Sequence, residues 1–190
     1  MSRRVHQAIL IGSILPLSWF AMMAVHETGH VLGAWLSGGT IARVVLHPLT
    51  ISRTDLSANP HPLFVVWTGP LFGIAAPLIV WLVMQARRMP GWYLLRFFAG
   101  FCLIANGAYL GIGSFDRVGD AGDLLRHRAA EWQLWLFGLI CVPAGFFLWH
   151  RLGPHFGLGE SQGQVSIPAA YGCLGVLIVM VMLMTLFGGE

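Results

Sequence analysis

The chain has 190 residues, 56% of them hydrophobic and only 10% charged, with a mean hydropathy of +0.72, which excludes a soluble globule and describes an integral membrane protein of one domain. Its net charge of +3 comes from eleven arginines and no lysine, scattered without a basic stripe, so nucleic acid is not an expected partner and the arginines read as anchors at the bilayer interface. Cys102, Cys141 and Cys173 lie in apolar runs with no CxxC spacing and are expected to be packing residues.

The first apolar segment runs from about Ala8 to Leu36, longer than the roughly 20 residues a bilayer needs. Arg3-Arg4 ahead of it gives the look of a signal peptide, but no small-residue cleavage site follows, so it reads as a retained first helix. Pro16 is expected to kink it near its start and Gly38-Gly39 to end it. Inside it stands His26-Glu27-Thr28-Gly29-His30. Histidines four apart share one helix face, so both imidazoles can reach a single metal ion, while Glu27, roughly 100° round the helix, is placed as a general base rather than a ligand. Gly33 and Ser37 follow on the histidine face, small residues that let another segment approach. The competing description, polar groups satisfied within a helix bundle, is disfavoured because ionisable residues inside a membrane are costly and rare.

Thr40 to Leu56 is the one stretch with strand character, with Ile41, Val44, Val45 and Leu46, then Pro48, then Leu49, Thr50 and Ile51. It predicts a short β-hairpin or an edge strand, with an ordered loop as the alternative. Further spans are expected at about Leu63–Met84 and Trp92–Ile112, the latter carrying Asn106 and fraying through Gly107, Gly111 and Gly113. Two more, about Trp132–Trp149 and Ala169–Phe187, carry no charged side chain and read as accessory helices over 131–190 beside a core of about 8–126. The fold class expected is therefore an all-α polytopic membrane protein with about five transmembrane helices, its termini on opposite sides. The arginines are nearly balanced between alternate loops, so orientation is not settled by the positive-inside rule.

Three of the four aspartates, Asp116, Asp120 and Asp123, gather after the third span. Each alone could be solvated and paired with an arginine, yet a zinc half-site lacks a third ligand and carboxylates are otherwise scarce. Asp120 is flanked by Gly119, Ala121 and Gly122, which would let its backbone approach the first helix. Asp116 is wedged between Phe115 and Arg117, and Asp123 sits at helical pairing distance from Arg126. Asp120 is favoured, with the other two as alternatives.

With these pieces in this order, the chain resembles the site-2 protease family of intramembrane zinc metalloproteases. The matching elements are HETGH in the first span, Gly38-Gly39-Thr40-Ile41-Ala42-Arg43-Val44-Val45 after it, Trp67-Thr68-Gly69-Pro70 in the second, and Gly119-Asp120-Ala121-Gly122-Asp123-Leu124-Leu125 after the third. Together they span roughly residues 20–126. The family's Asp-Gly-Gly-like motif supplies the third ligand, so the resemblance implies Zn²⁺ held by His26, His30 and Asp120, with Glu27 catalytic. It also implies that Thr40, Ile41 and Val44 bind an unwound transmembrane protein substrate by backbone pairing, with Asn106 standing for an asparagine near the site. Two departures stand out: Gly73 replaces an asparagine expected shortly after Gly-Pro, and the Asn-Pro element lacks its proline. The implied function is hydrolysis of peptide bonds in or near transmembrane segments, by a minimal multi-pass protein of the cell (inner) membrane with its active site toward the cytosolic side. The alternative is a non-catalytic membrane protein of the same fold that binds metal or substrate.

Overall fold

Helix α1 spans Arg3–Leu36 in the computed structural model, which describes residues 3–189. It begins five residues before the first apolar run and carries Pro16 inside it. After it come β1 (Thr40–Val45), β2 (Arg53–Ala58), α2 (Pro62–Ala86), α3 (Trp92–Asp116), the short α4 (Gly119–Arg126), α5 (Glu131–Trp149), two 3-10 turns and α6 (Ile167–Phe187). Five of the helices, all but α4, are long and apolar enough to cross a membrane.

Helices α1, α2 and α3 pack in sequence, α5 lies along α3, and α6 lies along α1. The two ends of the bundle are tied separately. At the N-terminal end, Gln7 Nε2 donates to the carbonyls of Phe156 (3.0 Å) and Gly157 (2.9 Å), fastening α1 to the α5–α6 connection. Leu10, Ile14, Tyr93, Phe156 and Ala170 form the core beneath. At the other end, Met22, Met23, Cys102 and Met184 join α1, α3 and α6, and the Leu46 N–H donates to the Gly188 carbonyl at 2.6 Å. All three cysteines are free and buried, as expected of packing residues.

The strand character after α1 resolves as a hairpin. Strand β1 pairs antiparallel with β2, setting Ile41 opposite Leu56, Val44 opposite Thr54 and Val45 opposite Arg53, with irregularities around Ile41. Leu49, Thr50 and Ile51, expected in the returning arm, instead make the turn, where Leu49 and Ile51 are 87% exposed. The returning strand, Arg-Thr-Asp-Leu-Ser-Ala, has too little apolar alternation to announce itself. It is marked instead by a charged cross-strand pair, Arg43 Nη2 to Asp55 Oδ2 at 3.2 Å.

Helix α3 does not fray at its glycines and runs on to Asp116, ending where Arg117 takes a left-handed conformation (φ 53°). Gly107 and Gly111 are the seam against α5. A Cβ on Gly107 would lie 2.7 Å from the Cys141 Cβ, and one on Gly138 would lie 2.8 Å from the Gly107 carbonyl oxygen. Small residues let two helices meet at backbone distance in lipid, and that contact outweighs the intrinsic helix penalty of glycine.

Candidate metal centre

Helix α1 buries His26, Glu27 and His30, exposed by 7%, 3% and 7%. Burial at this depth is possible because α2 crosses α1 over glycines. A side chain on Gly29 or Gly33 would run into Thr68, and one on Gly69 would occupy the position of the His30 imidazole. The Trp-Thr-Gly-Pro stretch is thus the seat of His30: the Val65 carbonyl accepts from His30 Nδ1 at 2.9 Å and also from the Thr68 hydroxyl at 2.7 Å.

Helix α3 seats the other histidine. His26 Nδ1 lies 2.7 Å from Asn106 Oδ1, and the Asn106 Nδ2 donates to the Cys102 carbonyl at 2.9 Å. The second bond settles which way the amide faces, because only the NH₂ can donate to a carbonyl. Both imidazoles therefore present Nδ1 to an oxygen that can only accept, so both carry a proton on Nδ1 and turn Nε2 inward. Asn106, which the resemblance places near the site, has both amide atoms engaged and orients His26. Gly73 makes the space: a Cβ there would lie 3.0 Å from both polar atoms of the Asn106 side chain.

The two Nε2 atoms are 3.1 Å apart, and Asp120 Oδ2 lies 2.8 Å from that of His26 and 3.2 Å from that of His30. His26, His30 and Asp120 are the group that could hold a metal ion among the described residues. Asp120 reaches them from the first turn of α4, where its backbone N–H donates to the Tyr109 hydroxyl at 3.0 Å. Gly119, with φ +53°, allows the tyrosine to come this close, since a Cβ there would strike its hydroxyl. Burial alone would push the Asp120 carboxyl up, but hydrogen bonds and charge from His26 and His30, available when an Nε2 also carries a proton, hold it well below the usual carboxylate range, so it is ionised.

The other two aspartates stay outside. Asp123 pairs with Arg126 one helical turn on, and Asp116 is exposed at the end of α3. Of the strand residues expected at the site, Thr40 and Ile41 lie at the exposed start of β1, while Gly188 and Gly189 of the chain's own C-terminal segment lie along its Val44–Leu46 end. The hairpin meets the α1 site through a residue that sequence alone did not single out: the Thr54 hydroxyl donates to Glu27 Oε2 at 2.7 Å. Tyr109 was also missed, although it stands one helical turn beyond Asn106, and its ring meets His26 edge-on at 6.0 Å between centroids.

No protein-family model, curated protein or solved structure matches the chain.

Proposed function

We propose that the chain is an intramembrane zinc metalloprotease that hydrolyses peptide bonds in or near the transmembrane segments of other membrane proteins. The observation that carries this is the convergence of two imidazole Nε2 atoms and a carboxylate oxygen, all electron-pair donors, within 2.8–3.2 Å of one another. With both Nδ1 positions already protonated, such a triangle is repulsive unless a proton or a metal cation sits among its corners. Tetrahedral zinc with bonds of roughly 2.0–2.1 Å has ligand-to-ligand edges of about 3.3 Å, so the three atoms, 2.8–3.2 Å apart, would spread slightly to receive it. Two neutral nitrogens and one carboxylate are also a catalytic donor set, leaving a fourth position for water.

Zinc held by His26, His30 and Asp120 would supply Lewis acidity, bringing the pKa of water to about 7 and polarising a peptide carbonyl. The chain's own residues do the rest. Glu27, next in sequence to His26 and buried, accepts a proton from the attacking water on its carboxylate and returns it to the departing amine nitrogen. Asn106 and the Val65 carbonyl keep the imidazoles in one tautomer and one orientation. Strand β1 offers backbone groups to a locally unwound substrate segment, a mode of recognition that needs little side-chain specificity. The bilayer and a transmembrane protein substrate are the partners, and the inner membrane is the proposed location.

Purified protein should hold about one zinc per chain, lost in His26→Ala, because the imidazoles are two of three protein ligands. Glu27→Gln should retain the metal while cleavage of a transmembrane reporter falls by roughly 10²–10⁴-fold. Equal cleavage by wild type and Glu27→Gln would overturn the chemistry. Stoichiometric metal with no cleavage of any reporter would make this a metal-binding membrane protein instead.

A further inference from the structure

The hairpin is joined to α1 by a contact that metal binding alone does not require. Thr54, in the second residue of β2, donates its hydroxyl proton to Glu27 Oε2 at 2.7 Å, and Glu27 is 3% exposed. A hydroxyl-to-carboxylate bond to a buried acid is strong and directional, so it selects one position of the carboxylate. A buried glutamate with three side-chain torsions needs such a constraint to meet a reacting proton at the right angle.

The position of Thr54 in the register matters as much as the bond. It lies directly opposite Val44, and cross-strand partners project on the same face with Cβ atoms about 4.5–5.5 Å apart. Strand β1 is therefore the nearest element through which a displacement can reach Thr54. It is also held at its far end, where the Leu46 N–H donates to Gly188. A chain segment pairing with β1 would fix or shift the hairpin, and the base would respond.

We propose that Thr54 positions Glu27, and that the hairpin thereby makes the alignment of the base depend on what is paired with β1. This rests on the protease function proposed above and adds a regulatory link to it: substrate engaged on the strand completes the alignment of the base. Thr54 is a positioning residue, acting on the reaction through Glu27.

The test uses the full-length protein in detergent or nanodiscs with a transmembrane reporter. Thr54→Val keeps shape and strand propensity but removes the donor, and should lower kcat about tenfold to a hundredfold with KM and zinc content unchanged, as for loss of a bond to a charged group. Thr54→Ser should restore kcat. Val44→Pro, which disrupts β1, should lower kcat, and adding Thr54→Val to it should lower it little further, because both act on one linkage. In metal-free protein, the shifts in unfolding midpoint caused by Thr54→Val and Glu27→Ala should be non-additive. Wild-type kcat in Thr54→Val, a change confined to KM, or additive effects of the substitutions at 44 and 54 would overturn the proposal. Failure of the protease function itself shows separately, as absent zinc or an active Glu27→Gln, and the unfolding cycle still decides whether Thr54 holds Glu27.

Discussion

Two acceptor oxygens, the Asn106 amide and the Val65 carbonyl, do as much to define the centre as the histidines they face. By holding a proton on each Nδ1 they aim both Nε2 lone pairs at one point, and the ionised Asp120 closes the triangle. With both Nε2 atoms free of protons, two neutral rings and one anion invite a divalent cation. Single Asp→Ala substitutions at 116, 120 and 123 should therefore separate cleanly when bound zinc is measured. Only Asp120→Ala should lose most of the metal, since Asp123 is engaged with Arg126 and Asp116 is exposed. Loss confined to position 116 or 123 would reassign the ligand. His26, Glu27 and His30 were legible in the sequence because their geometry is set within one helix and needs only a spacing of four. Asp120 was legible through the small residues around it. Thr54 and Val65 were not, because one acts through a hydroxyl brought in by a hairpin register and the other through a backbone carbonyl, which has no sequence signature.

At the scale of elements, the five long helices were readable to within a few residues at most ends, since a span of apolar residues in lipid leaves the backbone few alternatives. What misled was glycine. Gly107, Gly111 and Gly113 suggest a failing helix when propensity is weighed as in water. Gly107 and Gly111 instead face α5, and Gly113 packs against Ala121 of α4. The hairpin's second strand was hidden for the opposite reason: it is polar, and its pairing comes from the backbone and from Arg43–Asp55. The glycine seam makes a specific prediction. Gly138→Leu would place side-chain atoms where the Gly107 carbonyl (2.8 Å) and the Gly111 Cα (3.2 Å) now sit, forcing α3 and α5 apart. Overpacking of this kind costs about 1–3 kcal/mol or more. The expected result is a lower unfolding midpoint and weaker zinc binding, since α3 carries Asn106 and Tyr109. Gly172→Leu is the control: a Cβ there meets nothing within 4 Å, and its unfolding midpoint should stay at the wild-type value.

At the scale of the whole molecule, the residues that would bind metal all precede position 127, yet the packing that holds them does not. Helix α5 supplies the surface against which the glycines of α3 pack, and α3 orients His26 through Asn106 and anchors Asp120 through Tyr109. Helix α6 packs Met184 against Met22, Met23 and Cys102, and Gly188 just past its end holds Leu46, the residue after β1. In a bilayer, association of helices cannot draw on exclusion of water from apolar surfaces, because lipid is as apolar as the side chains it replaces. Close contact and backbone hydrogen bonds are what remain, and beyond the α1–α2 crossing those contacts lie on α5 and α6. The sequence-based division into a core of about 8–126 and accessory helices thus locates the chemistry without locating its support. A chain ending at Arg126 should reach the membrane, since its three spans are each apolar enough to insert, but should hold little zinc after extraction. Co-expression of residues 127–190 as a separate chain should recover metal binding, as the missing helices dock on the seam that α3 exposes. Zinc content of the tagged 1–126 fragment, alone and co-purified with its complement, is the measurement. Full metal occupancy in the fragment alone would show that α1 to α4 hold the centre unaided, and that the α3–α5 seam serves stability alone.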